Sequence, residues 1–60
     1  MHRYVVKVIV VDGRIFYPPE LQVDFSNVLE VEYALERGEV ILTTKDPIPT
    51  SESVMEWKGG

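Results

Sequence analysis

The chain has 60 residues, no cysteine, 45% hydrophobic residues and a formal net charge of −4 at pH 7. This length allows one domain with a marginal core, and the lack of cysteine excludes disulfides and cysteine-ligated zinc. An acidic chain is a poor default binder of nucleic acid, and no apolar run approaches the roughly 20 residues of a membrane span. We therefore expect a cytoplasmic protein without a cofactor or metal, stabilised by association into a homodimer.

The first predicted hairpin begins with "YVVKVIVV", residues 4–11, which is rich in β-branched residues. Both faces of this strand are largely apolar, so it needs cover on both sides, which favours a second chain. The "DG" pair at 12 and 13 predicts a tight turn with positive φ at both residues, and "RIFY" returns as the second strand. The expected cross-strand pairs are Val11 with Arg14, Val10 with Ile15 and Val8 with Tyr17.

Two consecutive prolines follow this hairpin. Pro18 ends the second strand because proline cannot donate to a sheet ladder. Pro19 and Glu20 suit the start of a helix. We therefore expect a short helical crossover over residues 19–25, leading to a second hairpin.

The second predicted hairpin opens with "LEVEYAL", residues 29–35, where apolar and polar residues alternate as in a half-buried strand. Gly38 supplies positive φ in the turn, and "VILTTK", residues 40–45, returns. The expected pairs are Val40 with Leu35, Leu42 with Tyr33 and Lys45 near Glu30. The acidic stripe on this hairpin is interpreted as a solvated face rather than a Mg²⁺ or Ca²⁺ site; its members are Glu30, Glu32, Glu36 and Glu39.

Residues 46–60 predict a linker and then a short helical or disordered tail, separate from the β domain at residues 1–45. "DPIPTSES" has no periodicity, and Thr50 or Ser51 suits a helix cap. Val54, Met55 and Trp57 are the apolar residues of this tail. They are candidates for binding a partner protein, with Trp57 as the anchor; the alternative is that Trp57 folds back onto its own barrel and caps the core.

Both hairpins resemble a known family. The residues "GRIFYPPEL", 13–21, resemble the G-R/Q-I/V-x-x-P-x-E-L signature of the AbrB/MazE/SpoVT swapped-hairpin family, and "VEYALERGEVIL" is similar to its second hairpin. The resemblance covers about residues 6–45. It implies a mainly β fold in which two hairpins, joined by a short helical crossover, interleave as a homodimeric swapped-hairpin barrel with a carboxyl-terminal tail.

The resemblance further implies a DNA-binding transcriptional regulator, or the antitoxin of a toxin–antitoxin pair. The candidate DNA-contacting residues are Arg3, Lys7 and Arg14, because the amino-terminal third carries the local positive charge. In the antitoxin form, deleting residues 46–60 should spare DNA binding and abolish toxin capture.

Alternative functions follow from other features of the chain. Its acidic charge favours a protein–protein interaction module with the same dimeric β architecture and no nucleic-acid binding. The terminal pair Gly59 and Gly60 raises a sulfur-carrier-like alternative. No catalytic residue is predicted. The single histidine, His2, is terminal, and the sequence shows no arrangement that pairs a serine or threonine nucleophile with a general base.

Overall fold

The structure, a computed structural model, describes residues 1–58 and consists of β-strands and short turns. The mainly β prediction is confirmed. The strands are β1 (His2–Lys7), β2 (Ile9–Val11), β3 (Arg14–Phe16), β4 (Val28–Ala34), β5 (Glu39–Thr44) and β6 (Val54–Glu56). Two single-turn 3₁₀ helices, Phe25–Asn27 and Leu35–Arg37, precede β4 and β5. The Gly59–Gly60 pair, on which the sulfur-carrier alternative depends, lies outside the described residues.

Four strands form one antiparallel sheet in the order β4-β5-β1-β6. Strand β1 is central, because β5 pairs along its whole length and β6 pairs on its other side. Val6 lies between Val40 and Val54 in this ladder, and all three side chains are fully buried. Strands β2 and β3 form a separate two-stranded ribbon.

The predicted first strand is divided in two at Val8. The Val8 backbone N–H leaves the strand ladder and donates to the Gly38 carbonyl at 2.9 Å, while its side chain is buried. This break lets β1 join the large sheet and β2 turn away into the ribbon. The first hairpin therefore does not span residues 4–17 as predicted.

The tight turn of the ribbon is as predicted. Asp12 and Gly13 have φ values of 50° and 75°, as a turn with positive φ at both central residues requires. The pairs of Val11 with Arg14 and Val10 with Ile15 are confirmed; the third pair joins Ile9 with Phe16, so the predicted pairing of Val8 with Tyr17 is wrong.

The predicted crossover helix at 19–25 is absent from the described structure. The Leu21 N–H donates to the Pro18 carbonyl at 3.0 Å, which closes a turn, and the chain then runs extended. Leu21 and Val23 both pack against the core. Their period-two spacing decides against a helix, because successive side chains of an extended chain point to opposite sides.

The second hairpin forms with a register two residues away from the prediction. Tyr33 lies opposite Val40 and Val31 lies opposite Leu42, while Glu30 lies opposite Thr43 instead of near Lys45. The cause is the turn, which uses Leu35–Arg37 as a 3₁₀ helix and is therefore longer than expected. Gly38 ends it in the left-handed conformation, with φ of 68°, as predicted.

The carboxyl-terminal segment belongs to the sheet, so the predicted helix is wrong. Its strand β6 places the Val54 side chain in the core, and the Trp57 N–H donates to the Arg3 carbonyl at 2.8 Å. Ile48 is also buried, and its N–H donates to the Tyr4 hydroxyl at 2.9 Å. Val54 is the residue of this segment that enters the core, whereas Trp57 is 37% exposed and is not part of the buried cluster.

One face of the large sheet carries the core, and we call it the inner face; the opposite side is the outer face. The buried cluster consists of Tyr4, Val6, Val8, Val40, Leu42, Ile48 and Val54. Ile15 from the ribbon and the extended segment after Pro19 cover it. A closed barrel and an exchange of hairpins between two chains stay predictions.

Within residues 1–58, no helix has both the length and the apolar character needed to cross a membrane.

Candidate functional site

The three predicted DNA-contacting residues occupy two different sheets. Arg3 and Lys7 are exposed on the outer face of β1, where Lys7 lies opposite Glu39. The Arg3 guanidinium lies 5.5 Å from the centroid of the Trp57 ring, in cation–π range. Arg14 is exposed beside the turn of the separate ribbon.

The predicted partner-binding residues are also divided between two faces. Val54 is in the core, whereas Met55 and Trp57 lie on the other side of β6 and are 53% and 37% exposed. They border a shallow depression on the outer face, of about 380 Å³, whose rim carries charges of both signs from Lys7, Arg37, Glu39 and Glu56. This mixed rim gives the depression no preference for one sign of ligand charge.

The acidic stripe is only partly neutralised. Glu39 pairs with the Arg37 guanidinium, with a nitrogen–oxygen distance of 3.5 Å. Glu30 and Glu32 are exposed on β4 and take part in no ion pair with another residue of 1–58. Within the same residues, no three histidine, aspartate or glutamate side chains are grouped closely enough to hold a metal ion.

An apolar groove of about 360 Å³ lies on the inner face beside β4. We use the name apolar groove for the space lined by Tyr17, Leu21, Val23, Phe25, Val28, Val31, Tyr33 and Leu42. Its deepest side chain, Leu42, is 5% exposed, while Phe25 at its rim is 92% exposed. No charged side chain lines it, so it suits an apolar occupant.

The groove lies between the segment after Pro19, which contributes Leu21, Val23 and Phe25, and β4, which contributes Val28, Val31 and Tyr33. The neighbouring strand β5 is covered, since its residues Val40 and Leu42 are buried. On the inner face of β4, Val31 and Tyr33 are 37% and 57% exposed and Val28 is half-buried, so the apolar face predicted to be buried is largely uncovered. Leu29 lies at the irregularity between Val28 and Glu30, and Leu35 belongs to the 3₁₀ helix that follows β4; they are 49% and 38% exposed. The alternation of apolar and polar residues predicts an apolar face on this strand, but alternation alone does not show what covers a strand, so it does not mark the face as a site.

The ribbon carries a second exposed apolar surface. Ile9, Val11 and Phe16 share one of its faces and are 67%, 50% and 52% exposed. The opposite face holds Ile15, which packs on the core. The ribbon therefore leaves about half or more of Ile9, Val11 and Phe16 exposed, and Arg14 lies on the same face.

Two tyrosines form the polar edge of the apolar groove. Burial and then the neighbouring Tyr33 hydroxyl raise the pKa of Tyr17 above its usual value of 10.0. A tyrosine whose pKa is raised in the folded state contributes stability that is fully present below the unfolded-state pKa. That contribution is lost as the pH rises through the folded-state pKa.

We expect the Tyr17 hydroxyl to ionise at higher pH than a free tyrosine, and to ionise earlier in Tyr33→Phe. Removing the Tyr33 hydroxyl removes its direct effect on Tyr17 and leaves burial as the remaining cause. Ultraviolet absorbance of tyrosinate, followed against pH, measures this, and Tyr17→Phe identifies the Tyr17 step. An unchanged Tyr17 midpoint in Tyr33→Phe would contradict the arrangement of the two hydroxyls.

No family model, curated protein or solved structure matches this chain. The resemblance to the swapped-hairpin family depends only on the motifs quoted from the two hairpins.

Proposed function

We propose that the protein is a small interaction module that binds a partner protein through the apolar groove. One observation carries this proposal: Val31 and Tyr33 of β4 face the apolar groove and are each more than a third exposed, and Phe25 beside them is 92% exposed. Soluble proteins rarely leave a contiguous apolar surface of this kind uncovered unless it binds something. This is the alternative that the acidic charge of the chain also favours.

The rim of the groove supplies the binding energy in this proposal. Fully burying a phenylalanine side chain contributes about 1.5–3 kcal/mol, and Phe25 is almost fully exposed. Tyr17 and Tyr33 add aromatic surface with a polar end, which is typical of residues that dominate binding interfaces. A partner that covers this rim would therefore gain most of its affinity from few contacts.

DNA binding is the second candidate function. Its support is the resemblance of the hairpins and the position of Arg3 and Lys7 on one face, with Arg37 bordering the same depression as Lys7. Its weakness is Glu39, which lies opposite Lys7 and pairs with Arg37. Binding through these cations would weaken steeply with added salt in an electrophoretic shift assay.

A homodimer, exchanged or not, stays part of the proposal. Its support is the exposed ribbon face formed by Ile9, Val11 and Phe16. Phe16 directly precedes Tyr17, which lines the apolar groove, so a dimer made through the ribbon would lie next to the groove. Light scattering over a dilution series would measure the mass.

The groove is tested with random twelve-residue peptides displayed on phage and selected on the purified protein. We expect the selected peptides to lose at least about tenfold in affinity for Tyr33→Ser, because this change removes an aromatic anchor at the rim. The matched control is Met55→Ser, since Met55 is 53% exposed against 57% for Tyr33 but lies on the outer face. Peptides that respond to Met55→Ser and not to Tyr33→Ser would overturn the proposal.

A further inference from the structure

Strand β4 is at the edge of the large sheet. Within the described residues, it has β5 along one edge and no strand along the other. It pairs with β5 alone, in the order β4-β5-β1-β6. The pairing is regular from Glu30 to Ala34, and its one irregularity lies between Val28 and Glu30. Within the described residues, no backbone group of this regular stretch bonds to anything except β5. It therefore presents free N–H and carbonyl groups, which is the template for adding another strand.

The two faces of this edge differ in chemistry. Val31 and Tyr33 point to the inner face, beside the apolar groove, because they lie opposite the core residues Leu42 and Val40. Glu30 and Glu32 alternate with them and so point to the outer face, where they have no ion-pair partner among residues 1–58. A strand added here would have one side over the groove and the other beside two carboxylates.

A second copy of β4 is a poor occupant of this edge. Two identical antiparallel strands related by a twofold axis place each residue opposite one that points to the same face. Centred on Val31, this pairing would put Glu30 of each chain opposite Glu32 of the other. Like charges directly opposite one another destabilise a sheet. The carboxylates thus oppose self-pairing and favour a strand of opposite charge.

We propose that β4 accepts an extended segment of a partner protein whose residues alternate between basic and apolar. The apolar residues cover the groove beside Val31 and Tyr33, and the basic residues lie next to Glu30 and Glu32. Main-chain hydrogen bonds to the edge supply the common part of the affinity, and the alternation supplies the specificity. The inference rests on the proposed function, and it names the conformation and charge pattern of the partner.

The probe is a seven-residue peptide of alternating lysine and valine, blocked at both ends. Two controls accompany it: a peptide of the same composition with its lysines and valines in separate blocks, and an alternating peptide of glutamate and valine. Amide chemical shifts of the intact protein give the affinity and the surface contacted. Hydrogen exchange of residues 30–34 reports whether a strand is added.

We expect the alternating lysine peptide to bind at least about tenfold more tightly than either control, and to slow exchange at residues 30–34. In the double variant Glu30→Lys, Glu32→Lys the preference should reverse to the glutamate peptide. The matched control is Glu36→Lys, Glu52→Lys, which changes the net charge equally at exposed positions outside β4. This control should keep the preference for lysine.

Several results would overturn the inference. If the block peptide bound as tightly as the alternating lysine peptide, or if the two double variants changed the affinity equally, the peptide would be attracted only by the overall charge of the protein. Protection of residues 30–34 in the free protein that grows with its concentration would mean a second copy occupies the edge. Binding of apolar phage-selected peptides in the groove without protection at 30–34 would reject strand addition and leave the proposed function standing. Failure of every peptide to shift the groove would reject both.

Discussion

Val54→Asp is expected to unfold the protein. Val54 is 0% exposed and lies against Val6 at the centre of the core. An unpaired carboxylate at such a position costs several kcal/mol. The whole stability expected for 60 residues is about 3–9 kcal/mol. The substitution should therefore remove most or all of the folded population, as measured by far-ultraviolet circular dichroism during thermal and guanidinium unfolding.

The adjacent residue provides the matched control. Met55→Asp adds the same charge to the same strand, but Met55 points to the outer face and is 53% exposed. Its free energy of unfolding should stay within about 0.5 kcal/mol of the value for the wild-type protein. If Val54→Asp and Met55→Asp had the same unfolding midpoints, β6 would not be part of the core. Deleting residues 46–60 should also unfold the chain, which corrects the expectation that this segment is dispensable for the β domain.

The sequence predicted local features better than it predicted strand partners. The turn at Asp12 and Gly13 needs positive φ at both residues, and that requirement is visible in two letters. The division of the first strand at Val8 could not be predicted from nearby residues, because it depends on the Gly38 carbonyl, which is 30 positions further along the chain. The two apolar faces of the first strand predict cover by a second chain. In the described chain, β5 and β6 flank β1 within the sheet, and cover of its outer face by a second chain stays a prediction.

The last strand shows why a tail was expected where a strand forms. The segment Val54–Glu56 is only three residues long, follows two prolines and has weak alternation, so no local signal favours a strand. It is ordered by pairing with β1, and its valine fills the core. Short strands of this kind depend on tertiary contacts.

Only part of the candidate site could be predicted from the sequence. The predicted alternation is confirmed from Glu30 to Tyr33, with Val31 and Tyr33 on one face of β4 and Glu30 and Glu32 on the other. It is wrong at its two ends, because Leu29 lies at an irregularity of the strand and Leu35 belongs to the following 3₁₀ helix. That the apolar face is uncovered follows from the path of residues 19–25. This segment runs extended and packs Leu21 and Val23 against the core, and the predicted helix does not form there. Because nothing in the pattern of β4 reports on that path, the groove and the free edge could be found only from the structure.

Tyr4→Phe is expected to destabilise the protein by about 1–3 kcal/mol, because it removes the only acceptor that the structure gives the buried Ile48 N–H. In a domain of this size, that loss lowers the melting temperature by roughly 4–8 °C per kcal/mol. The ring is kept, so the change isolates the hydrogen bond that joins the segment before β6 to β1. Tyr33→Phe removes an exposed hydroxyl and should change stability by less than about 0.5 kcal/mol. Equal melting temperatures for the two variants, together with unchanged hydrogen exchange at the Ile48 amide, would show that this bond does not hold the segment.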